Sequence, residues 1–183
     1  GPLTGNVVGS VTGASSLNLL LTGGTLSGTL NTQTILPSAD ATYDIGSSSK
    51  GYNTVHAKAT SAQYADLAEI YSTDKEYEVG TVMAIGGDAE TTAFFDGGPF
   101  GGNVFGVISG SPGFLMNKDA EGQAIAFVGR VPVKVTGAVE KGEKIYAADL
   151  GLGTTTKKGQ LVGFALESNS DTSTKLVEVA LCL

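Results

Sequence analysis

The stretch that decides the fold is residues 124–135, Ala-Ile-Ala-Phe-Val-Gly-Arg-Val-Pro-Val-Lys-Val. It is rich in β-branched residues and alternates valine with other residues in its second half, which is typical of a strand with one buried face. Similar strand-length runs, bounded by Gly, Asp or Asn, occupy residues 79–85, 104–108, 144–147, 161–166 and 176–181. Their spacing predicts a compact β-barrel or β-sandwich over residues 77–183. Inside the runs, Gly106, Gly129 and Gly163 predict bulges or sharp coiling.

Composition limits the classes of protein to which the chain can belong. Of the 183 residues, 41% are hydrophobic and 16% are charged, so there is enough apolar material for a core. The net charge of −7 argues against a nucleic-acid-binding protein and against attraction to an anionic membrane surface. No apolar run approaches the ~18 residues that span a bilayer, and no signal peptide is evident, so we expect no membrane insertion. Cys182 is the only cysteine and no Cys/His spacing suits zinc, so the sequence predicts no cofactor.

The N-terminal part differs from the rest because residues 3–33 contain no charged side chain. Gly1-Pro2 has the form of a scar left by tag removal, which leads us to expect a natural chain that extends further toward the N-terminus. Short β-branched runs broken by glycine predict strands too short to bury an apolar face within one chain. We therefore expect a glycine-rich shaft in which identical chains wrap around an axis, an obligate homo-oligomer. The side chains that must be covered in this way are Leu17, Leu19, Leu20 and Leu21.

Residues 34–76 are predicted to form a collar with one short helix. Pro37 and the stretch 46–51 punctuate it into two turns. Residues 57–69 are the best helical segment of the chain, with Ser61 as a candidate N-cap and no Gly or Pro after it. Tyr64 and Leu67 stand among small alanines there, so we expect this helix to pack against an oligomer axis.

Motifs of the collar and of the later strands resemble those of bacteriophage virion proteins. Residues 37–47 follow the pattern P-x-x-D-x-x-x-D-[IL]-G-[ST], and residues 52–57 follow [WY]-x-x-[VL]-[YH]-A; both are similar to a segment of phage tail-fibre and related virion proteins. Further segments resemble the C-terminal domain of tail-fibre-like proteins of tailed phages, namely residues 64–71, 77–82, 106–109, 129–137 and 141–145. The resemblance covers about residues 34–183. It implies a mainly β chain, with an intertwined trimeric shaft and collar before the barrel or sandwich, at the distal end of a homotrimeric fibre on a virion. Its partner would be a bacterial surface receptor, either a polysaccharide or a protein.

The entry into the β domain is also similar to the intramolecular chaperone domains of phage appendage proteins, some of which cleave themselves. That resemblance implies that Asp66 and Glu69 would be the catalytic carboxylates of such self-cleavage. Three residues apart on a helix they share a face, where close carboxylates can divide acid and base roles. The alternative, which we favour, is that they cap or pair structurally, so we expect no enzyme. A monomeric carbohydrate-binding module is a further alternative.

Other single residues invite a functional interpretation. Receptor contact is expected at loops on a rigid scaffold, here residues 96–102 with Phe100, residues 111–114 with Pro112 and Phe114, and residues 149–158 beginning at Asp149. His56 is the only imidazole; packing is favoured over catalysis, and three copies at an axis could hold an ion. Arg130 stands in an apolar strand, which favours an ion pair within or between chains over ligand binding.

Overall fold

The computed structural model describes residues 29–57, 64–97 and 102–183. Contacts divide the chain into two units, residues 1–56 and residues 57–183. The shaft residues Leu17, Leu19, Leu20 and Leu21 and the loop residue Phe100 lie outside the described residues, so the predictions made for them stay predictions. In the described part of the chain, no helix has the length and apolar character required to cross a membrane.

The second unit is mainly β, as the sequence predicts. Its described residues form ten strands, which we number in chain order: β1 (Asp66–Tyr71), β2 (Val82–Ile85), β3 (Thr91–Ala93), β4 (Val104–Ile108), β5 (Phe114–Met116), β6 (Gln123–Thr136), β7 (Lys144–Ala148), β8 (Leu152–Thr154), β9 (Leu161–Ala165) and β10 (Lys175–Leu181). The six runs predicted from the sequence correspond to β2, β4, β6, β7, β9 and β10. The sequence analysis missed the short strands β3, β5 and β8, and also β1.

Strand β6 belongs to two different layers. Its first half pairs with β1 and β4, and its second half pairs with β10 and β8. The second half closes a barrel of five strands, because β10 pairs with both β6 and β9, and β9 continues through β7 and β8 back to β6. The first half lies in an open sheet with the order β3, β2, β4, β6, β1, β5.

Gly129 marks the point at which β6 passes from the open sheet to the barrel. Its φ of 115° lies in a region that L side chains rarely adopt. A Cβ built there would lie 2.0 Å from the carbonyl oxygen of Ala65, so only glycine allows the chain before β1 to approach β6 this closely. A bulge lies within two residues of each of the three glycines singled out in the sequence: at residue 105 beside Gly106, at residue 127 before Gly129, and at residue 162 beside Gly163. The prediction of bulges is confirmed.

Every second residue in the second half of β6 is a valine that fills the interior of the barrel. Val131, Val133 and Val135 point inward and are almost fully buried. They face Val177 and Val179 of β10, which pair with Val133 and Val131. Pro132 and Lys134 between them, and Arg130 before them, point outward, as the two-residue period of a strand requires.

The predicted helix is wrong over its described part. Residues 58–63 lie outside the described residues, but Asp66–Tyr71 form β1, which is hydrogen-bonded to β5 on one side and to β6 on the other. The apolar and alanine-rich composition suits a helix and a buried strand alike, and pairing on both edges decides between them. Residues 66–69 therefore form no helix, and the packing of Tyr64 and Leu67 against other chains stays a prediction.

Residues 29–57, called the collar segment below, have no core of their own; they include the end of the predicted shaft and the part of the predicted collar that precedes β1. Every residue from 29 to 57 is exposed in the single chain. Seven of them are large apolar side chains with exposures from 52% to 84%: Leu30, Ile35, Leu36, Tyr43, Ile45, Tyr52 and Val55. Regular structure in this segment is limited to the turn closed by the Ser47–Lys50 bridge. Apolar surface of this extent on a single chain is typical of a segment that another chain covers.

Candidate functional site

The two carboxylates of the β1 segment do not form a pair. Three residues apart on a strand, Asp66 and Glu69 point to opposite faces, because strand side chains alternate. Asp66 is 6% exposed and accepts hydrogen bonds from the Ser109 hydroxyl at 2.6 Å and from the Gly113 backbone N–H at 2.8 Å. Its oxygens tie the β4–β5 connection to β1. The expectation that both carboxylates share a face is wrong, because it rested on a helix.

Glu69 has a separate partner. The Tyr71 hydroxyl donates to its carboxylate at 2.9 Å. Burial raises the pKa of Tyr71 above its ordinary value, and the hydrogen bond to Glu69 and the negative charge of that carboxylate raise it further. The phenol therefore remains a proton donor at neutral pH, and Glu69 has a structural partner on its own strand.

The structure brings together two of the predicted loops. The backbone N–H of Asp96, in the loop after β3, donates to Oδ1 of Asp149 at 2.8 Å. The N–H of Gly151 donates to the carbonyl oxygen of Phe94 at 3.0 Å. Asp149 therefore acts as a brace between the loop after β3 and the turn before β8 rather than as a free loop-tip residue.

These two loops present two apolar side chains to solvent. Phe95 is 54% exposed, whereas its neighbour Phe94 is fully buried. Leu150 is 75% exposed and has a φ of 64°, a left-handed conformation that is unfavourable for a leucine. We call Phe95 and Leu150 the loop tip. A strained, exposed leucine is the kind of local feature that clusters at functional sites.

The third predicted loop, residues 111–114, leads directly into β5. Pro112 is half-buried, and Phe114 is the first residue of β5 rather than a turn residue. Phe114 lies in register with Leu67, which in turn lies in register with Val128 of β6. Phe114 therefore belongs to a sheet face.

A cavity of about 510 Å³ lies at the start of β1, with Tyr64, Asp66, Ser109, Arg130 and Glu178 in its wall. Arg130 is the only arginine of the chain and is exposed. Among the described residues, Lys134 and Glu78 form an ion pair. The hydrogen bond from Lys134 is the main cause that lowers the pKa of Glu78. An ion pair of Arg130 within one chain is therefore not found in this part of the structure, and its pairing with another chain stays a prediction.

His56 is exposed at the end of the collar. No group of three or more His, Cys, Asp or Glu side chains that could hold a metal ion occurs among the residues that the structure describes. Three copies of His56 around an axis would need neighbouring chains, so that suggestion stays a prediction.

Comparison with known proteins gives a likeness in fold. No protein-family model matches the chain, and no curated protein sequence matches it. The fold resembles that of bacteriophage phi29 gene product 12. The pre-mature form of that protein superposes with a TM-score of 0.53 at 12% identity, over 70% of this chain and 23% of the other. A C-terminal fragment of the same phage protein is 13% identical and gives a TM-score of 0.48, over 64% of this chain and 100% of the fragment.

Sequence reasoning missed three exposed apolar residues, Phe95, Val128 and Leu150. Two of them carry a signal in the sequence. Phe94 and Phe95 directly follow β3, and adjacent side chains at the end of a strand point to opposite sides, one inward and one outward. Val128 directly precedes the predicted bulge at Gly129, and a bulge redirects the side chains beside it. Nothing in the sequence around Leu150 indicates a left-handed backbone.

Proposed function

We propose that this chain is a non-enzymatic structural protein of a tailed-bacteriophage virion, the distal part of a homotrimeric tail fibre or appendage. Three chains share the shaft and the collar, and the C-terminal β domain both supports trimerisation and meets a bacterial surface receptor. The motif resemblance to tail-fibre proteins supports this assignment, and the fold likeness to phi29 gene product 12 is compatible with it.

The observation that carries the proposal is the exposure of the collar. Residues 29–57 form a continuous segment in which every residue is exposed and seven large apolar side chains face solvent. Each Å² of apolar surface removed from water contributes about 25 cal/mol, so one chain leaves this stabilisation unused. Identical chains wound about one axis bury the same side chains without requiring a second kind of protein.

Receptor contact is assigned to the loop tip. Phe95 and Leu150 present apolar surface on loops that the Asp149 brace and the closed barrel hold in place. A rigid scaffold lowers the entropy lost on binding. Phe95 can stack on a sugar ring or fill a pocket of a surface protein, so the receptor class is a polysaccharide or a protein at the bacterial surface.

The collar proposal is tested with Ile45→Asp and the matched variant Ser48→Asp. Both positions are exposed in a single chain, with Ile45 at 84%. If the chain were a monomer, neither substitution would change stability by more than about 0.5 kcal/mol. If three chains bury Ile45, Ile45→Asp lowers the melting temperature and the trimer fraction in light scattering, whereas Ser48→Asp does not. Equal behaviour of the two variants would contradict the proposal.

The loop tip is tested by adsorption. Fluorescently labelled wild-type protein is incubated with a panel of bacterial strains, and cell-bound fluorescence is measured by flow cytometry. On any strain that binds the wild type, Phe95→Ser abolishes binding with its trimer mass unchanged, while the control Phe164→Ser, on the outer face of the barrel, retains it. Unchanged binding of Phe95→Ser would contradict the assignment.

A further inference from the structure

The open sheet carries an apolar row on one face that nothing in the described chain covers. Phe114 of β5, Leu67 of β1 and Val128 of β6 are direct cross-strand neighbours, so their side chains point to the same face. Phe114 is 63% exposed and Val128 is 61% exposed, while Leu67 between them is half-buried. We call these three residues the apolar row. With neighbouring strands about 4.8 Å apart, the row extends about 10 Å across the sheet.

The same face is well packed further along the sheet. Tyr71, Phe105 and Phe127 meet edge to face, with ring centroids 4.9–5.9 Å apart. They pack against a buried cluster that contains Ile108 and Ile125. The face therefore has a covered end with a small core of its own and an uncovered end at the apolar row. This second observation shows that the face is built to be buried.

We propose that the apolar row is the contact between the β domains of neighbouring copies of this chain. This inference rests on the proposed homotrimer and names the surface through which the β domains meet. Phe114, interpreted from the sequence as a receptor-binding residue, becomes a residue of the interface between subunits.

Chain connection favours a second copy as the occupant. Leu67 is the second residue of β1, and β1 begins ten residues after His56, the end of the collar segment. Ten residues span at most about 35 Å, so collars joined on one axis deliver three copies of the row to the same neighbourhood. A short tether sets an effective concentration in the millimolar range, at which even a small apolar contact forms.

The chemistry of the row argues against a polysaccharide. Sugar recognition needs hydrogen-bonding groups beside the aromatic ring, and the three side chains of the row have none. Glu69, two residues after Leu67 on β1 and on the same face, already accepts the hydrogen bond from Tyr71. A self-complementary apolar contact requires no such groups.

The test measures the accessibility of the row in the full chain. In a Cys182→Ser background, Val128→Cys is compared with Lys157→Cys, a position in the exposed loop after β8. The mass of each sample is checked by light scattering before labelling with a maleimide. Val128→Cys should react at least about tenfold more slowly than Lys157→Cys in the native protein, and equally fast in denaturant. A single chain predicts no protection, because Val128 is exposed in it.

A second pair of variants guards against a folding effect. Phe114→Asp and Phe164→Asp both place a charge at an exposed strand phenylalanine, and Phe164 is the more buried of the two at 37% exposed. Loss of contacts within the chain would therefore damage Phe164→Asp more. The proposal predicts the opposite order for the trimer: Phe114→Asp lowers its melting temperature more than Phe164→Asp does.

The outcomes separate the two proposals. A wild-type trimer with Val128→Cys protected and the predicted order of the aspartate variants supports the interface. A wild-type trimer in which Val128→Cys reacts as fast as the control overturns the interface and leaves the proposed function standing. Protection that appears only after bacterial cells are added overturns it in favour of a receptor surface. A wild-type monomer overturns the proposed function and this inference with it.

Discussion

Replacement of Gly129 by alanine tests the strand that joins the two layers. The new Cβ would lie 2.0 Å from the carbonyl oxygen of Ala65 and 2.7 Å from Cα of Asp66. Both are backbone atoms, which cannot rotate away as the end of a long side chain can. Gly129→Ala must therefore push the beginning of β1 away from β6, where the N–H of Arg130 donates to the carbonyl oxygen of Ala65 at 3.2 Å.

The size of the effect follows from two contributions. A backbone with positive φ costs an L residue about 1–2 kcal/mol, and forcing an extra carbon into a packed site adds about 1–3 kcal/mol. Gly129→Ala should therefore lower the free energy of unfolding by about 2–5 kcal/mol, a large share of the ~5–15 kcal/mol of a typical domain. Gly137→Ala is the matched control, because its φ is +88° but nothing lies within 4 Å of the new Cβ.

Urea unfolding followed by circular dichroism measures the difference, at one chain concentration because assembly makes stability depend on concentration. Gly137→Ala should lose only the backbone contribution, so the two variants should differ by about 1–3 kcal/mol. Equal losses, within about 0.5 kcal/mol, would refute the close approach of β1 to β6 and with it the register that aligns the apolar row.

Three further predictions concern Asp66 and Glu90. Asp66→Ala should destabilise the protein by about 1–3 kcal/mol, because the Gly113 N–H loses its acceptor; urea unfolding checks this, and a loss below about 0.5 kcal/mol would contradict it. If Asp66 is structural, the wild-type chain also keeps its 18.5 kDa mass by mass spectrometry after incubation with or without nucleotide, whereas a new fragment would restore the self-cleavage hypothesis. The pKa of Glu90 lies below its ordinary value of 4.5, because the backbone N–H and the hydroxyl of Ser72 donate to its carboxylate. The hydrogen-bonded carboxylate stabilises the folded state above pH 4.5, and this stabilisation is lost as the pH falls through the lower pKa of the folded state. Unfolding midpoints of Glu90→Gln should therefore fall less steeply below pH 4.5 than those of the wild type. Parallel curves would contradict this prediction.

The sequence predicts the longer strands of the β domain well, because each carries its own pattern. The run at residues 124–135 falls within β6, and the three interior glycines lie beside bulges. The choice between barrel and sandwich remained open, because closure depends on β10 pairing with both β6 and β9. Those pairings join residues far apart in the chain, and no local pattern encodes them.

Two errors in the sequence analysis have different physical causes. Residues 64–69 combine good helix formers with apolar side chains, and strand neighbours on both edges make Asp66–Glu69 part of β1. Arg130 was interpreted as a buried charge that needs a partner, but alternation along β6 places it outside the barrel. Tertiary contacts overrule the helical preference in the first case, and the two-residue period of the strand decides the second.

The candidate surfaces were predictable only in part. The loops at Asp96 and Asp149 were each recognised as loops, but their contact joins residues 53 positions apart. Phe114 was recognised as an exposed aromatic, whereas its place in the apolar row depends on the parallel pairing of β1 with β5. Residue type and turn signals identify exposed candidates, and the fold decides which of them share a surface.

The solution mass of the native chain tests the central claim most directly. Light scattering coupled to size-exclusion chromatography, with the same sample in denaturant as the control, measures how many chains associate. The account predicts the mass of three 18.5 kDa chains in buffer and of one chain in denaturant. A native mass of one chain would contradict it, because the apolar side chains of residues 29–57 would then remain in water.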